Sequence, residues 1–140
     1  MPGSRTLITP SPQLSWDQKG QQLLLIEDNE SIRDTFKLLL EDEGYRVMTA
    51  CNGKDALRVI TEKGEPAAIF LDLNMPEMDG ITFLRERSKA NLAVHTPVIV
   101  FTAYGKKMQI EGVSEWVKKP VDVERLLSIV SKYCNQYVLH

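Results

Sequence analysis

Three carboxylates, a hydroxyl and an ammonium occupy comparable places in the chain, each at or just past the end of a short apolar run. Glu27-Asp28-Asn29 follows QLLLI (22–26), Asp72 ends AAIFLD (67–72), Thr102 ends PVIVFT (97–102), and Lys118-Lys119-Pro120 follows SEWV (114–117). Taken singly, each residue has an ordinary explanation: an acid in a turn, a cap, a β-branched strand residue, a solvated lysine. Taken together they suggest chemistry. Three carboxylates on one rim repel one another unless a cation is present. Hard oxygen ligands that leave positions for water and phosphate suit Mg2+. A carboxylate beside such an ion can act as a nucleophile toward a phosphoryl group. A neighbouring lysine and hydroxyl can then hold the phosphoryl oxygens, which is the positioning that phosphoryl transfer requires.

That chemistry needs the five residues at one rim, and the element pattern supplies a rim. From Gln22 onward, strand and helix signals alternate. Asn29 and Ser31 offer caps for a helix over about 30–43, where Ile32, Phe36, Leu39 and Leu40 fall at helical spacing and Gly44 provides the stop. YRVMTA (45–50) alternates in type, Asn52-Gly53 turns the chain, and Ala56, Leu57 and Ile60 share a helical face. Gly80 to about Lys89 reads as a helix, 114–118 as a short last strand, and Val123, Leu126, Leu127, Val130 and Cys134 as the stripe of a terminal helix. This rhythm is (βα)5, an α/β doubly wound parallel sheet with helices on both faces. Interior parallel strands are solidly apolar because both faces are covered, so 22–26, 67–72 and 97–102 are interior and 45–50 is an edge. Ligands of such open sheets bind beyond the carboxyl ends of the strands, where the strand order reverses.

Bulk composition bounds the alternatives. A length of 140 residues suggests one domain, and 43% hydrophobic with 26% charged is ordinary for a globular chain. A net charge of −2 gives no support to a nucleic-acid or membrane surface. No apolar run is long enough for a membrane span, and MPGSRTLITP lacks the apolar core of an export signal. Cys51 and Cys134 fit no metal or redox spacing, which suits free thiols in a cytoplasmic protein. Residues 1–20 hold three of the seven prolines and no apolar period, so a disordered tail or linker is expected there and the folded domain over 21–140.

The set LLLIEDN, FLDLNMPEMDG, VIVFTA and VKKP resembles the receiver domain of two-component response regulators, from residue 22 to about 136. The resemblance implies a flavodoxin-like sheet of order 2-1-3-4-5. It implies that Asp72 is the phosphoacceptor and that Glu27 and Asp28 are the acidic pair for Mg2+ or Mn2+. Asp28 would ligate directly, Glu27 through water, and the backbone carbonyl of Asn74 would add a ligand. Thr102 would hydrogen-bond the phosphoryl group and Lys119 would pair with it. Lys118 is the rival lysine, but neighbours in an extended strand point apart, so only one of the two can enter the pocket. The donor would be a histidine kinase or histidine phosphotransfer protein, and an output domain or downstream protein would read a surface switched through Thr102 and Trp116. No enzymatic activity beyond phosphotransfer and autodephosphorylation is implied, nor any direct nucleic-acid contact.

The sequence departs from the family pattern in three places. Trp116 stands where Tyr or Phe is usual, and a buried indole N–H needs a partner, which opposes an inward swing. Thr102 to Lys119 spans 17 positions, fewer than usual, so helix four should be shortened to about one irregular turn. Glu27 replaces the more frequent Asp. Trp116 and the short helix four keep open an alternative, a non-phosphorylated pseudo-receiver that serves as a protein-interaction module. A flavin-binding domain of similar fold fits less well, because Glu27, Asp28 and Glu30 would repel phosphate after strand one unless a metal were bound. Only Gln136–His140 follow the last helix, so an output domain is not expected within this chain.

Overall fold

The computed structural model describes residues 22–73, 80–103 and 112–134. Five strands, β1 (Gln22–Ile26), β2 (Arg46–Ala50), β3 (Ala68–Asp72), β4 (Val98–Thr102) and β5 (Glu115–Lys118), form one parallel sheet of order β2-β1-β3-β4-β5. Four helices are found among the described residues: α1 (Glu30–Asp42), α2 (Gly53–Lys63), α3 (Gly80–Lys89) and the terminal helix α4 (Val123–Cys134). The expected short helix between β4 and β5 falls on 104–111, outside the described residues, as does the tail over 1–20.

The strand pattern follows the burial rule for parallel sheets. β3 and β4 are buried at every position, β1 at all but Gln22, and the edge strand β2 fully only at Ala50. Alternate residues serve opposite faces. Leu24, Ile26, Ile69, Leu71, Val98 and Val100 meet Ala56, Val59 and Ile60 of α2 and Phe83 and Leu84 of α3. Leu23, Leu25, Phe70, Ile99, Phe101 and Val117 meet Leu40 of α1 and Leu126, Ile129 and Val130 of α4. Two cores thus clamp the sheet.

Local chemistry sets the helix ends. The Asn29 side chain accepts the Ile32 N–H and caps α1, while Gly44, at φ 99°, lies just past its end. Asn52 accepts the Asp55 N–H in the same way, so Asn52-Gly53 is less a turn than a cap followed by the first residue of α2. The expected apolar face of α1 is only partly covered: Leu40 is fully buried, Phe36 is half-buried, and Ile32 is 41% exposed.

Gly80 opens α3 directly against the residue that follows Asp72. Its N–H donates to the Leu73 carbonyl at 3.3 Å, and a Cβ there would lie 3.0 Å from both Cα and Cδ1 of Leu73. Gly80→Ala should therefore cost about 1–2 kcal/mol of stability through overpacking. Urea unfolding checks this, and an unchanged midpoint would show that Leu73 yields freely.

Candidate functional site

β1 and β3 are neighbours in the sheet, with Ile26 level with Leu71, so the residues that follow β1 and the last residue of β3 meet at the carboxyl edge. Carboxylate oxygens of Glu27, Asp28 and Asp72 all lie within 4.8 Å of one another. Glu27 and Asp72 are each 5% exposed, whereas Asp28 faces solvent. β4 and β5 bring the remaining two groups. Thr102 is buried at the end of β4, and its carbonyl accepts the Lys119 N–H at 2.7 Å. That bond holds the backbone beyond β5 so that the Lys119 ammonium reaches Asp72 Oδ1 at 2.9 Å. Lys118 remains exposed. The Lys119-Pro120 peptide is cis. The three carboxylates, the hydroxyl and the ammonium singled out at the strand ends therefore gather at one edge. Asn74, the further metal-ligand candidate, lies outside the described residues.

Electrostatics mark the same place. Burial raises the Glu27 carboxyl to about 7, with Asp72 and Asp28 adding to the rise. The Asn29 N–H, which donates to Glu27 Oε2 at 3.1 Å, and the Lys119 charge pull the other way. Among the described residues, three carboxylates meet one ammonium here, and hard oxygen donors at this spacing suit a small divalent cation. Sequence reasoning missed the supports of Glu27. Arg33 Nη1 donates to the Glu27 carbonyl at 2.9 Å and ties the loop to α1. The signal was present in the capped helix start, because one helical turn after Asn29 puts residue 33 back over the loop.

An apolar cavity of about 590 Å3 opens beside the acids. Ile26, Ile32, Phe36, Phe101, Pro120 and Val121 line it, and Glu27, Asp72 and Lys119 form its polar side. This placement explains why Ile32 and Phe36 of α1 are left partly uncovered.

A family model described as the response regulator receiver domain matches residues 23–131. The chain belongs to the response regulator receiver family. Sporulation initiation phosphotransferase F of Bacillus subtilis is 31% identical over 119 residues, 81% of this chain and 94% of that protein. A receiver domain structure from Clostridium thermocellum is 31% identical with a TM-score of 0.71, covering 82% of this chain and 94% of that one. The receiver domain of a sensor histidine kinase of Pseudomonas aeruginosa PAO1, solved with a magnesium ion coordinated in its active site cleft, is 27% identical with a TM-score of 0.73, covering 84% of this chain and 99% of that one. This receiver is a two-component signalling domain, and among its described residues no helix is long and apolar enough to cross a membrane.

In the receiver, Trp116 is half-buried on the face shared with α2 and α3, level with Val100 of β4.

The raised Glu27 carboxyl makes stability depend on pH. Between its ordinary value of 4.5 and about 7 the folded chain binds more protons than the unfolded chain. Stability without metal is therefore greatest below about pH 4.5 as far as Glu27 is concerned, and declines as pH rises toward about 7. The loss is on the order of 3 kcal/mol at ~1.4 kcal/mol per pH unit. Urea midpoints measured in chelator across this range should show that decline, and Glu27→Gln should flatten it. A decline of equal slope in Glu27→Gln would assign it to another group.

Proposed function

We propose that this receiver takes a phosphoryl group from a phosphohistidine of a kinase or phosphotransfer protein onto Asp72, and that the modified site alters a protein-binding surface. The observation that carries this reading is the Lys119 ammonium on Asp72 Oδ1 within the cluster formed with Glu27 and Asp28. Glu27, Asp28 and Asp72 would hold Mg2+ or Mn2+, with the Asn74 carbonyl as a further ligand. When bound, the ion would neutralise charge on the phosphoryl oxygens as they approach the carboxylates.

The protein groups divide the remaining work. A carboxylate oxygen of Asp72 attacks phosphorus, the P–N bond to the donor histidine breaks, and the imidazole keeps the electron pair and takes up a proton. Lys119 orients Asp72 beforehand and then pairs with the transferred group. Thr102 donates its hydroxyl to a phosphoryl oxygen. The apolar cavity along Ile32, Phe36 and Val121 seats the helix that bears the donor histidine, because it adjoins Asp72 directly. The product adds nearly two negative charges and three strong acceptors at the edge. Movement of Thr102 toward them biases the β4 end and the face around Trp116. Water later cleaves the acyl phosphate, releasing inorganic phosphate and restoring the carboxylate.

Acetyl phosphate with Mg2+ should label the wild-type chain and leave Asp72→Asn unlabelled, read by intact mass after brief reaction. Asp28→Asn should reduce labelling by about tenfold or more. Equal labelling of Asp72→Asn would remove Asp72 from its role. Absence of labelling in the wild type, with folding intact, would favour the interaction-module alternative.

A further inference from the structure

Arg87 is out of place by the logic of its own helix. Gly80, Phe83, Leu84 and Arg87 are the buried residues of α3 and fall at i, i+3, i+4 and i+7, so Arg87 occupies an apolar-stripe position. Its residue is only 4% exposed. No carboxylate among the described residues pairs with it, and its Nε has no partner there. A buried charge without a counter-charge is costly, so its retention in this core suggests a specific task.

The task is visible in what the two arms touch. Nη1 donates to the Ala93 carbonyl at 2.6 Å. That carbonyl also accepts the Thr96 N–H at 3.1 Å, so it closes the turn that leads into β4. Ala93 itself is held at φ 49°, a left-handed conformation that an alanine rarely adopts. Nη2 lies against Gly112, where a Cβ would come within 2.7 Å of it. Gly112 opens the lead into β5, and two residues later Ser114 bonds Val98 through both its N–H and its hydroxyl, at 2.8 and 3.2 Å. One guanidinium therefore touches the segments that lead into both strands whose far ends carry Thr102 and Lys119.

We propose that Arg87 is a positioning residue that fixes where β4 and β5 begin, and so where Thr102 and Lys119 arrive at Asp72. As a statement about reactivity this rests on the phosphoacceptor reading; as a statement about β5 it does not. β5 is the strand most in need of an anchor, since it has four residues and pairs only with β4.

The test uses the full chain with Trp16→Phe, which leaves Trp116 as the single tryptophan. Arg87→Met removes charge and donors at similar length and should fold, because an apolar side chain suits this position on the buried stripe of α3. Trp116 emission should shift to longer wavelength, and acetyl phosphate labelling of Asp72 should fall about tenfold per folded molecule. Arg87→Lys, which keeps a donor for Ala93, should lie between. Wild-type emission and labelling in both variants would overturn the proposal and leave Arg87 as a space filler. Should Arg87→Met fail to fold, amide exchange in Arg87→Lys decides: faster exchange at Val98 and Val117 supports the anchor, and unchanged exchange refutes it. If the parent chain itself is not labelled, the phosphoacceptor reading fails, and Trp116 emission still decides the position of β5.

Discussion

The structure is organised around an electrostatic imbalance at one edge of the sheet. Glu27 and Asp72 are buried within reach of each other and of Asp28, and the Lys119 ammonium binds Asp72. Left in water, such carboxylates would separate. They stay together because each is fixed by backbone that the sheet holds, and the sheet is held by its two cores. The Glu27 N–H donates to the Ala50 carbonyl, and the Leu73 N–H donates to that of Phe101. The charge cluster is thus held together by backbone fixed elsewhere, as is common where a site accepts a cation or a charged group.

The rest of the fold can be read as support for that edge. Parallel pairing of β1 and β3 sets the distance between the acids, and β4 with β5 carries the hydroxyl and the ammonium in from the other side. The helices follow the same division. α2 and α3 close one face, while α1 and α4 close the other and leave a gap beside Asp72 in which Ile32 and Phe36 remain partly uncovered. Arg87 shows that positioning extends to the opposite end of the strands, where a buried guanidinium stands in the place of an apolar side chain.

Much of this was legible in the sequence because the relevant signals are local or periodic. Solid apolar runs marked β1, β3 and β4 as interior, and the alternation in YRVMTA marked β2 as an edge. Asn29 and Gly44 bounded α1 to within a residue. The site could be guessed because a parallel sheet always delivers strand ends to one edge, so polar residues at four such ends become neighbours by topology. Local signals were less able to assign Asn52-Gly53, where a cap and a turn use the same residues, or to tell that the front of α1 borders a cavity. Ile32 and Phe36 carry the same helical period whether or not anything covers them.

The sequence by itself determined which residue types were available, the element order and the alternation that makes a parallel sheet. Those depend on side-chain period and capping, which neighbours along the chain decide. Tertiary structure alone decided that the Glu27 carboxyl is raised to about 7 and that Arg87 reaches the segments leading into two strands. Each of these depends on burial or on contact between residues far apart in the chain, and neither quantity exists until the sheet has closed.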